Sequence, residues 1–142
     1  MDTKNFIYKS YCELVIISNE VSPETISEEL DIPFSRGFRK GDQNVSKHSG
    51  SVTVKPHNLW ALKSDGHESD EETISCHINF FKLILDGKLN ILQRFKNDVR
   101  YDISFFVWIE TDNSGIGLSL DEDQITFINS FSNEIRLILL TI

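Results

Sequence analysis

A chain of 142 residues is about the size of one domain, because two separate cores built from it would each be marginal. Its apolar content of 39% and charged content of 25% are ordinary for a folded protein and argue against disorder. A formal net charge of −8 repels nucleic acid and anionic membranes and attracts basic partners.

In chain order, Tyr8–Ser18 reads as a strand ending in the apolar run Leu14-Val15-Ile16-Ile17. Ser22-Pro23-Glu24 then opens a helix. Ser22 caps it, Pro23 takes the first position where a missing N–H costs nothing, and Glu24 complements the dipole. Ile26 and Leu30 share one face, and the helix must stop before Pro33. Residues 34–50 carry glycines at 37, 41 and 50 without a sustained period, and are expected to form a loop. A second strand is expected over Val52–Lys63, with Pro56 marking a bulge or an edge.

Ser69-Asp70-Glu71-Glu72 has the form of a capping box, and Ile74, Ile78, Phe81 and Leu85 follow at helical spacing. Asp86-Gly87 closes or kinks that helix, and Leu89, Leu92 and Phe95 continue a shorter one. The strongest alternation is Val99–Glu110. Val99, Tyr101, Ile103, Phe105, Val107 and Ile109 lie on one side, and Arg100, Asp102, Ser104, Phe106, Trp108 and Glu110 on the other. This strand is expected to be central, with Phe105 and Val107 facing helices. Thr111–Gly115 reads as a hairpin loop into a strand with Ile116, Leu118 and Leu120. Asp121-Glu122-Asp123-Gln124 opens a last helix, capped by Ser119 or Asp121, with Ile125, Ile128, Phe131 and Ile135 inward. Leu137–Ile142 ends as an apolar strand.

The expectation is therefore one α+β domain over residues 1–142, a single layer of mostly antiparallel sheet with helices packed on it. The order is β-α-β-α-β-β-α-β. A faint echo between the strand before S-P-E-T-I and the strand before D-E-D-Q-I suggests a duplicated split β-α-β unit. No apolar run reaches the ~18 residues of a membrane-spanning helix. The first ten residues lack the apolar core of a signal peptide, so a cytoplasmic location is expected. Cys12 and Cys76 form no C-x-x-C pair and are expected to be buried thiols.

The runs Ser22-Pro23-Glu24-Thr25-Ile26, Leu30-Asp31-Ile32-Pro33, Arg39-Lys40-Gly41-Asp42 and Leu59-Trp60-Ala61-Leu62-Lys63-Ser64 stand in one order. In that order they resemble a bacterial domain family of unknown function, with the motifs P-E-x-I-(T/S)-x-x-L, (R/K)-x-G-D and W-x-L-x-S. The resemblance extends loosely over nearly the whole chain and implies no enzymatic activity. It weakens at Leu139-Leu140-Thr141-Ile142, where the family has a more polar ending.

No catalytic or cofactor motif stands out. His48, His57, His67 and His77 lack zinc-site spacing, and no G-x-S-x-G is present. Cys76 sits in mid-helix, away from a dipole that would activate it, and Gly115-Ile116-Gly117 leads to an acidic helix start that would repel phosphate. No metal and no cofactor are expected. In the 36–47 stretch, Arg36, Arg39, Lys40 and Lys47 with Phe34 and Phe38 suit either a phosphate or single-stranded nucleic-acid contact or a turn tied by Arg39 and Asp42. The whole-chain charge favours the turn.

Phe106 and Trp108 lie on the otherwise polar side of the best strand. They require a covering layer, an oligomer contact or a partner, and Trp60 joins them if the strands are neighbours. Glu68, Asp70, Glu71 and Glu72 form one acidic cluster, and Asp121, Glu122 and Asp123 another. Helix dipoles explain many of these acids, and docking to a basic protein is the functional alternative. The expected function is a small acidic protein-binding module, not an enzyme. Its specific form would be an immunity protein occluding a basic toxin such as a nuclease, without direct nucleic-acid or membrane binding. The alternatives are a homo-oligomeric ligand-binding or housekeeping domain, for instance a homodimer, and an enzyme whose site is scattered in sequence.

Overall fold

The two strongest alternations become the two longest strands. In a computed structural model, which describes residues 7–64, 74–111 and 118–141 (Ile7 and Tyr8 by backbone alone), β1 spans Ile7–Ser18 and β6 spans Tyr101–Thr111. They pair antiparallel from Ile7↔Thr111 to Ser18↔Tyr101, with a register shift between Ile7 and Lys9. Between them in sequence come α1 (Pro23–Leu30), β2 (Arg36–Phe38), β3 (Gln43–Val45), β4 (Val52–Val54), β5 (Asn58–Lys63), α2 (Ile74–Ile84) and α3 (Leu89–Lys96). After β6 come α4 (Glu122–Phe131) and β7 (Glu134–Thr141).

The fold is α+β. Its main sheet has the order β2-β5-β1-β6-β7, antiparallel except for the last pair. β7 runs parallel to β6, a pairing that needs a crossover connection, and α4 lies in that connection. Asn133 fixes its entry: its side-chain oxygen accepts from the Ile103 amide at 3.0 Å, and its own amide donates to the Ile103 carbonyl at 2.8 Å. β3 and β4 form a separate two-stranded ribbon.

Period-2 alternation sends Cys12, Leu14 and Ile16 of β1, Trp60 and Leu62 of β5, and Ile103, Phe105, Val107 and Ile109 of β6 to one face. There they form one core with residues of all four helices, including Ile26, Leu30, Ile78, Phe81, Leu92, Phe95, Ile128 and Phe131. Phe105 lies edge-on to Phe81 and Phe131, with ring centroids 5.2 and 6.0 Å away. Such pairs add about 0.5–1.5 kcal/mol each beyond area burial. No helix among the described residues is long and apolar enough to cross a membrane.

Several local expectations need correction. The 34–50 stretch holds two short strands: β2 pairs with β5, and β3 with β4. The expected 52–63 strand is broken at Pro56 into β4 and β5, which belong to different sheets. Val99 is fully exposed in the turn before β6, where Asp98 bonds the Arg100 backbone and guanidinium. β6 is an interior strand, but β1 holds the centre.

Leu118 and Leu120 lie in no strand, while the rest of the expected hairpin loop and Ile116 fall outside the described residues, as does the Ser69–Glu72 capping box. In α4, Gln124 is buried and Ile125 is 45% exposed, because the Gln124 side chain closes a capping box with Asp121 and reaches Ser75 Oγ at 2.9 Å. Ile135 belongs to β7, the helix having ended at Phe131. The echo between the two halves is matched only in part: β1-α1-β2 is a β-α-β unit split by β5, to which both of its strands run antiparallel, whereas the parallel strands of β6-α4-β7 are adjacent.

Candidate functional site

The same alternation that fills the core sends Lys9, Tyr11, Glu13, Val15 and Ile17 to the opposite face of β1. On that face Val15, Leu59 and Ala61 form a small second cluster, joined by Ile17, Phe38 and Phe106, all from strands. Among the described residues no helix contributes to this cluster.

Three cross-strand relationships build the site. Tyr11 and Trp108 stand directly opposite in the β1–β6 ladder and stack, with centroids 5.6 Å apart and planes at 18°. Two pairs further on, and so on the same face, Glu13 stands opposite Phe106. Glu13 is 5% exposed, a burial that a carboxylate tolerates only with compensation. Arg36, on the edge strand β2, supplies it: Nε donates to Oε2 at 3.0 Å and Nη2 to Oε1 at 3.1 Å. This hydrogen bonding holds the Arg36 guanidinium above its ordinary pKa, against a smaller opposing effect of burial.

Lys63, paired with Glu13 across the β1–β5 ladder, lays its ammonium 4.8 Å from the centroid of Tyr11. Arg136 of β7 stands 5.7 Å from the Phe106 ring and pairs with Glu134. Tyr11, Glu13, Arg36, Lys63, Phe106, Trp108 and Ile138 together line a concavity of about 300 Å³. It has an aromatic floor, a buried carboxylate neutralised by an exposed arginine on one wall and a lysine at its rim. Chemically it offers ring stacking and a cation, and its described lining holds no histidine or cysteine.

Of the residues singled out from sequence, Phe106 and Trp108 are half-buried on this face. Trp60 does not join them. It lies fully buried on the helix side, its indole Nε1 donating to Ser27 Oγ of α1 at 2.8 Å. The reason is parity: Trp60 pairs with Ile16, a core-facing position of β1. Asp121, Glu122 and Asp123 are exposed at the start of α4, on the helix side of the sheet. Asp121 is occupied as the cap, accepting from the Gln124 amide at 2.8 Å. Glu68, Asp70, Glu71 and Glu72 lie outside the described residues.

The cations of the 36–47 stretch are largely engaged within the fold. Arg36 binds Glu13, Arg39 pairs with Glu24 at 3.1 Å, and the Asp42 carboxylate accepts from the Arg39 amide at 2.8 Å around Gly41, whose φ is 92°. His77 is fully buried, with Ser64 Oγ 2.7 Å from Nδ1 and Ser10 Oγ 3.3 Å from Nε2. Cys12 and Cys76 are both reduced; Cys12 is buried, which pushes its thiol pKa far up, while Cys76 is half-buried. Among the described residues no three His, Cys, Asp or Glu side chains gather as a metal site.

Sequence reasoning missed Tyr11, Glu13 and Lys63, and named Arg36 only as part of the cationic 36–47 stretch. A signal existed for the first two, because they alternate with Cys12 and Leu14 and so had to share a face. Nothing local in the sequence paired Arg36 or Lys63 with them.

The geometry defines an α+β domain in which one sheet face carries the helical layer and the other presents an aromatic and cationic concavity. The chain belongs to the family described as a domain of unknown function, DUF4279, which matches residues 8–141. No curated protein and no solved structure matches the chain.

Proposed function

We propose that this chain is a small acidic protein-binding module that docks its partner on the sheet face opposite the helical layer. In its specific form it is a cytoplasmic immunity protein that neutralises a cognate toxin by occlusion. The observation that carries the reading is the convergence of Tyr11, Trp108, Phe106 and Arg36 around one open concavity. Tyr, Trp and Arg are the side chains that dominate protein interfaces when clustered centrally. The net charge of −8 favours a partner that is basic overall, such as a nuclease toxin, and speeds its capture.

The exposed acids Glu122 and Asp123 at the start of α4 provide the rival docking surface, on the other side of the sheet. A homodimer is the second reading. It is favoured by the edge strand β7, which exposes Leu137 at 58%, Leu139 at 49% and Leu140 at 38%. Sedimentation at increasing concentration reads that alternative directly.

The test is co-expression with the C-terminal fragment encoded by the neighbouring upstream gene, scoring survival. The unaltered chain should rescue growth, and a Phe106→Ala/Trp108→Ala variant should not. Absence of rescue by the unaltered chain sinks the immunity reading. Full rescue by the aromatic variant, with loss in a Glu122→Lys/Asp123→Lys variant, moves the interface to α4.

A further inference from the structure

The concavity is more selective than an apolar patch, because the charges of its described residues do not cancel. The Glu13 carboxylate is committed to Nε and Nη2 of Arg36, and the Arg136 guanidinium to Glu134. The Lys63 ammonium, held over Tyr11, has no carboxylate within ion-pair distance among the described residues. In a chain of net charge −8, one rim of an aromatic pocket therefore carries a positive charge that no described carboxylate pairs with. The floor beside it is a stacked Tyr11–Trp108 pair with Phe106 adjacent, a surface that accepts another ring.

Resting on the proposed partner-binding role of this face, we infer that the concavity takes an aromatic side chain standing beside a carboxylate in a segment of the partner protein. The ring lies against Tyr11, Trp108 and Phe106, and the carboxylate reaches Lys63. A partner that is basic overall still presents this one acidic contact. A nucleotide shares the ring and the negative charge, but a single lysine at the rim of a strongly acidic chain neutralises too few phosphates to hold a nucleic acid strand.

The two tryptophans supply the experiment, since Trp108 lies in the concavity and Trp60 is sealed on the other face. Their indole N–H resonances are assigned with Trp108→Phe and followed while N-acetylphenylalanine or its carboxamide is titrated into the full chain. The carboxylate form should shift the Trp108 resonance, leave Trp60 in place, and bind about three- to fivefold more tightly than the amide. Lys63→Ala should erase that difference, and Lys63→Arg should retain it; an unmoved Trp60 resonance confirms each fold.

Equal affinity for acid and amide, a response at Trp60 instead, or no response at all overturns the inference. So does tighter binding of thymidine 5′-monophosphate than of the aromatic acid. Failure here with loss of rescue in the Phe106→Ala/Trp108→Ala variant removes only the partner chemistry. Success here with full rescue by that variant removes the docking role of the face.

Discussion

Ser64 Oγ lies 2.7 Å from Nδ1 of His77, bonding the residue after β5 to the first turn of α2 inside the core. The same hydroxyl accepts from the Cys12 amide at 2.8 Å and lies 3.2 Å from the Cys12 carbonyl, so one serine serves β1, β5 and α2. Ser64→Ala removes a bond to a buried amide and another to the His77 imidazole. Loss of about 1–3 kcal/mol is expected, read as a lower urea midpoint at unchanged slope. Ser10→Ala, which removes the longer 3.3 Å contact to Nε2, should cost less.

Arg36→Ala strands the Glu13 carboxylate in a site where the residue is 5% exposed. Because the Arg36 side chain itself is 51% exposed, water partly replaces it, and a loss of about 1–3 kcal/mol is expected. In a double-mutant cycle, the Arg36→Ala step should be milder once Glu13→Gln has removed the charge. Additive losses would mean that the two side chains are not coupled.

Gly37 is the close approach that lets β2 lie against β5. A Cβ there would meet the Phe34 ring at 2.9 Å and the Leu59 carbonyl oxygen at 3.0 Å, and the oxygen belongs to backbone that cannot swing aside. Gly37→Ala should destabilise by about 1–3 kcal/mol through overpacking, and should displace Arg36 from Glu13. Chemical denaturation measures the first effect. The Arg36 Nε–H resonance, protected in the ion pair, reports the second.

Asp98 is held below the ordinary carboxylate range, chiefly by its hydrogen bonds from the Arg100 guanidinium and then by the Arg100 amide. A depressed folded-state value means that its contribution is complete above the unfolded value and fades as pH falls through the folded one. Asp98→Asn should therefore lower stability at neutral pH, and the gap between variant and parent should close under strongly acidic conditions. Denaturation curves across the acid range check the sign; a gap that widens on acidification contradicts it.

The acids at the start of α4 should separate by role. Asp121→Ala removes the cap and should cost about 1 kcal/mol. Glu122→Lys and Asp123→Lys, at exposed positions without the capping bonds, should stay within about 0.5 kcal/mol of the parent apart from the dipole contribution. Thermal melts of the three variants give the comparison.

What the sequence revealed follows from the range of the interaction involved. β1 and β6 were legible because each carries its own alternation over many residues, and α1 because Ser22, Pro23 and Leu30 mark its start and face. β2 and β3 were not, since three residues hold no period and exist as strands only through β5 and β4. In α4 the phase was misread because a polar residue, Gln124, took the buried position for its hydrogen bonds. Phe106 and Trp108 stood out as aromatics on the wrong side of an alternating strand. The ion pair beneath them did not, because Glu13 and Arg36 meet only after β2 has paired with β5 and β5 with β1.

The central place of β1 has a consequence for how the chain is made. Its partners, residues 58–63 and 101–111, emerge from the ribosome long after it does, so the first strand waits unpaired while they are synthesised. The run Leu14-Val15-Ile16-Ile17 is apolar and rich in strand-forming residues, the composition that self-associates when exposed. Glu13 stands immediately before that run. A charge that costs burial energy in the finished sheet thus acts earlier as a gatekeeper, keeping nascent chains apart until Arg36 arrives to neutralise it.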